Sequence, residues 1–327
     1  MPQELNSRID SPAALAEWIR KHDDMGVVCH VSPDGDTLGS ALALAEGLRA
    51  MGKNACTLCQ DEIPRMYHFM NGAMDICTPE SAPFMIRAVL FSDVSDENRA
   101  GSCLMPEVRA RAVIDHHATN PAFCDVNVID GRAAATSVMV AELMDRLRVP
   151  LTPSMAENLY VGITTDTGNF NYKSTDGRTL RAAAKCLDAG ADADKVTRLM
   201  FRLRSVARTQ LLGAAVSQME LLLGGRLAVF KVSRLMMDEF GASEADCEGI
   251  VNYGIETEGV RVSVLLREQN GGVKASLRAL DGVDVSRVAV HHGGGGHAAA
   301  AGCSLSGGLD ECAAMLVPEL AEEIDRA

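Results

Sequence analysis

His30, Asp34 and Asp36 lie within seven residues of one another in HVSPDGDTLGS (30–40), so one short stretch sets an imidazole beside two carboxylates. Asp93 follows the apolar run RAVLFS, Asp115-His116-His117 follows ARAVI, and Asp166 sits in GITTDTG (162–168). Five carboxylates converging on one place repel one another and hold on to protons unless cations compensate. Imidazole and carboxylate donors without a thiolate suit manganese, with magnesium, cobalt or iron as lesser candidates, and disfavour a structural zinc site. Asp and Gly in PDGD also make good turns, and an Asp beside a strand can simply cap a helix. What favours the metal is recurrence: four separate segments end an element in the same residue types.

Those elements alternate. Ser11-Pro12 before AALAEWIRKH reads as a capped helix, residues 26–31 as a short strand, 37–51 as a helix stopped by Gly52, and 54–58 as a second strand. Residues 88–92 and 110–114 repeat the strand signal, and continuous apolar runs separated by helices predict a parallel sheet covered on both faces. Open α/β sheets place ligand groups in loops at the carboxyl ends of strands, where His30, Asp34, Asp36, Asp93 and Asp115–His117 fall. Helices are expected over 133–147, 153–163, 178–189 and 193–203, and a long one over 205–223. Gly224-Gly225 is the clearest break. Strands at 227–232, 260–267 and 272–280 and a final helix at 309–324 follow.

A chain of 327 residues exceeds the usual size of one core, so two domains are expected. With 47% apolar and 23% charged residues it has a globular α/β profile. A net charge of −13 argues against tracking long duplex nucleic acid, while a few local Arg residues could still bind a small phosphorylated ligand. The first residues lack a charged head followed by an apolar core, and no run of eighteen apolar residues occurs, so a cytoplasmic protein without a membrane partner is expected. Ten cysteines scattered through apolar stretches read as reduced buried thiols; only Cys56 and Cys59 have redox-like spacing, and they lack a second pair.

HHGGGGHAAAAG (291–302) has neither Rossmann spacing nor a Walker lysine. Consecutive glycines let backbone amides approach an anion, and the Ala run is expected to open a helix whose positive end attracts phosphate. His297 would donate to the same group. A flexible loop, or a metal tract of His291, His292 and His297, are the alternatives.

Taken together, HxxPDGDxxGS (30–40), SDVSDENR (92–99), VIDHH (113–117) and TDTGNF (165–170) resemble the DHH phosphoesterase superfamily. Ser276-Leu277-Arg278, GGGGH (293–297) and AAG (300–302) resemble the DHH-associated C-terminal domain of RecJ-type nucleases and bifunctional oligoribonuclease/PAP phosphatases. This resemblance implies an α/β chain: an N-terminal parallel-sheet DHH catalytic domain (1–190), a helical linker (191–224) and a smaller α/β DHH-associated substrate-binding domain (225–327). It implies His30, Asp34 and Asp93 as ligands of one divalent cation and Asp36, Asp93, His116 and Asp166 as ligands of a second. The two, manganese by preference, would lie about 3.5–4 Å apart and activate a water between them. Asp115 would fix an imidazole's tautomer, His117 would face the phosphate, and Arg99 would contact substrate. Arg278, Gly294, Gly295, Gly296 and His297 would hold the nucleotide, although the family usually has an apolar or aromatic residue where this chain has His292.

The activity so implied is a metal-dependent hydrolysis of very short oligoribonucleotides to mononucleotides, and of 3′-phosphoadenosine 5′-phosphate. Phosphodiesterases of linear or cyclic signalling dinucleotides share this plan, and the motifs do not separate them. A family II pyrophosphatase would lack GGGGH, and an inactive nucleotide sensor would have lost a ligand, whereas every mapped position is intact. A homodimer is common among α/β enzymes of this size; no residue here decides it.

Overall fold

Apolar runs of four to six residues become the strands of a parallel sheet: β1 (Met25–Val28), β2 (Ala55–Leu58), β3 (Ala88–Ser92), β4 (Ala110–Asp115) and β5 (Val126–Ile129). The structure is a computed structural model, which describes residues 9–327. Two compact units divide between Leu203 and Arg204.

In the first unit the strand order is β2-β1-β3-β4-β5, all parallel. Its helices are α1 (Pro12–Lys21), α2 (Gly35–Ala50), α3 (Thr136–Leu147), α4 (Pro153–Asp166), α5 (Gly177–Asp188) and the short α6 (Ala193–Thr197). Alternate sheet residues, among them Val27, Leu90 and Ile114, pack on Leu15, Leu38, Val138 and Leu159 from the helices. The opposite face, with Val28, Val89, Phe91 and Val113, is covered by Ile86, Ala100, Cys103 and Phe123 from loops and 3₁₀ turns rather than by α-helices. Both faces are therefore covered, as the apolar runs predict. β5 went unforeseen because its VNVI carries an Asn, which is buried and bonds back to the amide and carbonyl of Cys124 at 2.9 and 2.7 Å.

Helices α2 and α4 approach closely because small residues face one another. A β-carbon on Gly39 would come within 2.3 Å of the Asn158 carbonyl oxygen, and one on Gly35 within 2.5 Å of Thr165 Oγ1. Asp36 opens α2 and Asp166 closes α4, so this contact brings two candidate ligands together.

The second unit holds α7 (Val206–Ser217), β6 (Glu220–Leu222), β7 (Leu227–Val232), α8 (Arg234–Phe240), α9 (Ile250–Ile255), β8 (Val262–Gln269), β9 (Gly272–Ala279), α10 (Val285–His291), β10 (Gly295–His297), β11 (Ala300–Leu305) and α11 (Leu309–Arg326). Its sheet order is β10-β11-β9-β8-β7-β6, antiparallel except between β7 and β8. Leu227, Val264 and Leu277 on one face pack on Val288, Leu316 and Leu320 of α10 and α11. On the other face Ala228 and Phe230 pack on Leu211, Met237 and Ile250 of α7, α8 and α9.

Two expectations need correction. The helix foreseen over 205–223 ends at Ser217, because 220–222 pair with β7; a short apolar run has the same look in helix and strand. The Ala run of 298–301 opens no helix. Ala300 and Ala301 begin β11, paired on both sides by β9 and β10, so sheet pairing overrides alanine's helical propensity. The unit boundary falls inside the 191–224 stretch expected as a linker, with α7 packed on α8, α9 and β7. Among the described residues no helix is long and apolar enough to cross a membrane.

Candidate active site

The carboxyl ends of β1, β3 and β4 and the facing ends of α2 and α4 bring all six candidate ligands together. Asp93 lies at the centre, 2% exposed, with a left-handed φ of 63° at the end of β3. Non-glycine residues are uncommon there, Asp and Asn being the ones that tolerate it best, and such positions cluster at functional sites. One of its oxygens is 3.6 Å from His30 Nε2, the other 3.5 Å from His116 Nε2. His30 Nε2 is also 3.5 Å from Asp34 Oδ2, and His116 Nε2 is 3.3 Å from Asp166 Oδ2. Two triads of donor atoms result, His30–Asp34–Asp93 and Asp36–His116–Asp166, and Asp93 forms a further group with His116 and His117.

Local structure explains each orientation. Asp34 caps α2, its Oδ1 accepting from the amides of Asp36 and Thr37, which leaves Oδ2 toward His30. The turn reading and the ligand reading of PDGD are thus both satisfied by one carboxylate. Asp36 accepts from the amides of Thr136 and Ser137 at 2.5 and 2.8 Å, supplying from α2 the cap that Ala135 cannot give α3. His116 Nδ1 lies 3.2 Å from the Ala133 carbonyl oxygen; donating there leaves Nε2 a lone pair facing Asp93 and Asp166.

Asp115 accepts from His117 Nδ1 at 2.8 Å and from Asn120 Nδ2 at 2.7 Å. Its partner is therefore His117, whose ring is 43% exposed. Arg99 reaches the same centre, Nη2 being 2.9 Å from His30 Nδ1, which is also 2.8 Å from the Val31 carbonyl oxygen. One ring nitrogen cannot both accept from Arg99 and donate to Val31, so a His30 that offers Nε2 to a cation keeps Val31 and frees the guanidinium.

The electrostatics match crowding without a counterion. Burial, then the charges of Asp36, Asp34 and Asp166, pushes Asp93 well above the ordinary carboxylate range. Burial and the charges of Asp36 and Asp34 lift Asp166 to about 9, and burial raises Asp36. Burial alone would raise Asp34 too, but the His30 imidazole and the two capping amides outweigh it and hold the carboxyl below its usual value. Asp115 is lowered likewise, its burial outweighed by His117 and Asn120, and the Asp115 hydrogen bond raises His117 against its partial burial.

Cations fit this donor set. Ligands bound at about 2.1 Å stand roughly 3 Å from their neighbours, close to the nitrogen–oxygen separations here. The buried carboxylates offer hard oxygen donors that, beyond Thr136 and the α3 amides, have little else to compensate them.

Three contributors escaped the sequence. Thr136 Oγ1 donates to Asp93 Oδ1 at 2.9 Å while accepting from the His116 amide at 3.2 Å. Thr37 Oγ1 donates to the Ser92 carbonyl and accepts from the His30 amide. Gly162 leaves room for Ser137 Oγ, which a β-carbon would meet at 2.0 Å. Hydroxyls and a helical glycine carry no sequence signal for these roles. Cys56 is a buried free thiol on β2 that burial pushes up to about 12, matching an inert cysteine rather than a redox one.

In the second unit, sheet register aligns His297 with Ala300 and Ala300 with Arg278, so the three share one face, beyond the part covered by α7, α8 and α9. Gly294 and Gly296 are glycines because β-carbons would meet the carbonyl oxygens of Gly302 and Ala300 at 2.1 and 2.5 Å. Gly295 meets nothing and is exposed. Gly293 and Gly294 thus turn the chain out of α10, and Gly295 and Gly296 enter the edge strand of a hairpin rather than a helix.

A parallel sheet whose strands end in Asp and His, followed by a mixed-sheet unit, is the arrangement two family models match: the DHH family, N-terminal domain, over residues 24–163 and the DHHA1 domain over 224–327. The chain belongs to the DHH family and is a phosphoesterase. It is 36% identical to the bifunctional oligoribonuclease and PAP phosphatase NrnA of Thermus thermophilus, over 92% of this chain and 90% of that protein. A crystal structure of an exopolyphosphatase-related protein from Bacteroides fragilis superposes with a TM-score of 0.82 at 26% identity, covering 95% of each chain. The exonuclease RecJ bound to manganese shares the fold, with a TM-score of 0.50 at 14% identity over 97% of this chain and 94% of that one.

Proposed function

We propose that this chain hydrolyses very short oligoribonucleotides to mononucleotides and removes a phosphate from 3′-phosphoadenosine 5′-phosphate. The observation that carries the reading is Asp93, a buried carboxylate with one oxygen toward each of two His/Asp triads, together with relatives that carry both activities in their name.

His30, Asp34 and Asp93 would hold one divalent cation and Asp36, Asp93, His116 and Asp166 a second, with manganese preferred for oxygen and imidazole donors. Bound there, such cations supply charge neutralisation at the phosphoryl oxygens and a nucleophile available near neutral pH. Thr136 keeps Asp93 turned toward both histidines. His117, tethered to Asp115 through Nδ1, presents Nε2 to the phosphoryl group, and the Asp115 hydrogen bond raises its proton affinity. Arg99, released from His30, offers a guanidinium to a phosphate oxygen. In the second unit Arg278 and His297, on one sheet face with Ala300 of β11 between them, would form the binding surface for the rest of the nucleotide together with Gly295.

Purified protein with manganese is incubated in separate reactions with a diribonucleotide, 3′-phosphoadenosine 5′-phosphate and a cyclic dinucleotide. Mononucleotide from the first and adenosine monophosphate from the second are expected. Turnover of the cyclic dinucleotide alone would replace this reading with a signalling phosphodiesterase, and product from none with a nucleotide sensor.

A further inference from the structure

Among the described residues, one cluster outside the first unit has the make-up of a metal site. His291, the last residue of α10, and His292, which caps it, turn their rings to within 4.9 Å of each other, centroid to centroid. Consecutive residues on a regular helix point about 100° apart. Here the rings nonetheless converge, His292 being the capping residue just past the helix, with φ at −97°. Both rings meet one carboxylate, Glu319 of α11: His291 Nδ1 lies 3.1 Å from Oε2, and His292 Nε2 lies 3.0 Å from each oxygen.

We propose that His291, His292 and Glu319 form a zinc-class cation site in the second unit. Two imidazoles and one carboxylate are a common zinc donor set, and bonds of about 2.0–2.2 Å at tetrahedral angles separate ligand atoms by roughly 3.3 Å, near the spacing observed. All three donor atoms fall within 4.8 Å of one another. Imidazole-rich donors distinguish this site from the carboxylate-rich first unit, so the two favour different cations. His292 and Glu319 are 13% and 27% exposed and His291 71%, which leaves one side open to a water or an exogenous ligand.

The placement suggests what the cation does. His292 is followed at once by Gly293, with φ of 72°, and Gly294, whose amides bond back to Val290 and Ala289 of α10 before the chain enters β10. A cation shared by the end of α10 and by α11 fastens the root of the glycine hairpin, whose far end carries His297. Clipping two helices at that root lowers the freedom of the hairpin without touching its binding face.

Zinc is titrated by calorimetry into metal-stripped full-length protein, wild type and the variants His291→Ala, Glu319→Gln and Asp93→Ala. One zinc equivalent is expected to disappear in His291→Ala and in Glu319→Gln and to persist in Asp93→Ala. Circular dichroism keeps the comparison fair, and the exposed His291 can be truncated with little effect on folding. Equal stoichiometry in wild type, His291→Ala and Glu319→Gln would reduce the cluster to histidine–glutamate ion pairs and overturn the site. So would loss of that equivalent in Asp93→Ala as well.

Discussion

At the scale of single residues, Asp93 combines three costs: burial, a left-handed backbone and the proximity of other carboxylates. Asn tolerates the left-handed region where Ala does not, so Asp93→Asn and Asp93→Ala separate charge from conformation. Both should abolish turnover, while the Ala variant should be about 1 kcal/mol less stable than the Asn variant in chemical denaturation without metal. Equal stability would show that the backbone there is unstrained. The shifted carboxylates also fix a pH dependence. Asp166 is raised from an ordinary 3.8 to about 9, so the folded protein holds a proton that the unfolded chain releases. That contribution is complete at acid pH and is lost as pH rises toward about 9, and Asp93, Asp36 and His117, all raised, act in the same direction. Metal-stripped protein should therefore melt at a lower temperature near pH 8.5 than near pH 5.5, and saturating manganese should narrow or reverse the difference. A metal-free melting temperature that rises over that interval would mean these groups are not crowded as described.

At the scale of elements, the site depends on how closely α2 and α4 approach. Gly39→Ala would set a methyl 2.3 Å from a backbone oxygen, which no rotamer change can relieve, so the helices must part. We expect a loss of about 1–3 kcal/mol in stability and weaker manganese binding measured by calorimetry, because Asp36 and Asp166 ride on those two helices. Unchanged affinity would mean that the ends of α2 and α4 are positioned independently of this contact. Such contacts also mark where the sequence stops being readable. Asp93 and His116 were legible because each lies just past an apolar run that reads as a strand, and Asp34, Asp36 and Asp166 because the same residue types recur at the ends of other elements. Thr136 was not, since a hydroxyl at a helix start is ordinary until its partner from β3 is known. The hairpin of β10 and β11 was misread for the opposite reason. Glycine and alanine suggest a loop and a helix locally, and only pairing with β9 makes them strands.

At the scale of the whole molecule, the two units have separate cores, and the proposed function assigns the chemistry to the first and the recognition to the second. A net charge of −13 disfavours any general attraction for polyanions, so affinity for a phosphorylated ligand must come from individual cationic side chains. Arg278 is the strongest candidate in the second unit. It is partly exposed, and its own contact is Nη1 to the neighbouring Leu277 carbonyl at 2.9 Å, which a bidentate phosphate would readily displace. Arg278→Ala should raise KM for a diribonucleotide at least about tenfold, the worth of one charged hydrogen bond, and leave kcat within a factor of about two. Hydrolysis of a small aryl phosphodiester, which has no second nucleoside to hold, should change little. Asp93→Asn should abolish turnover of both substrates. An Arg278→Ala variant that loses the aryl ester as severely as the dinucleotide would place Arg278 in the chemical step, and the division of labour between the two units would fail.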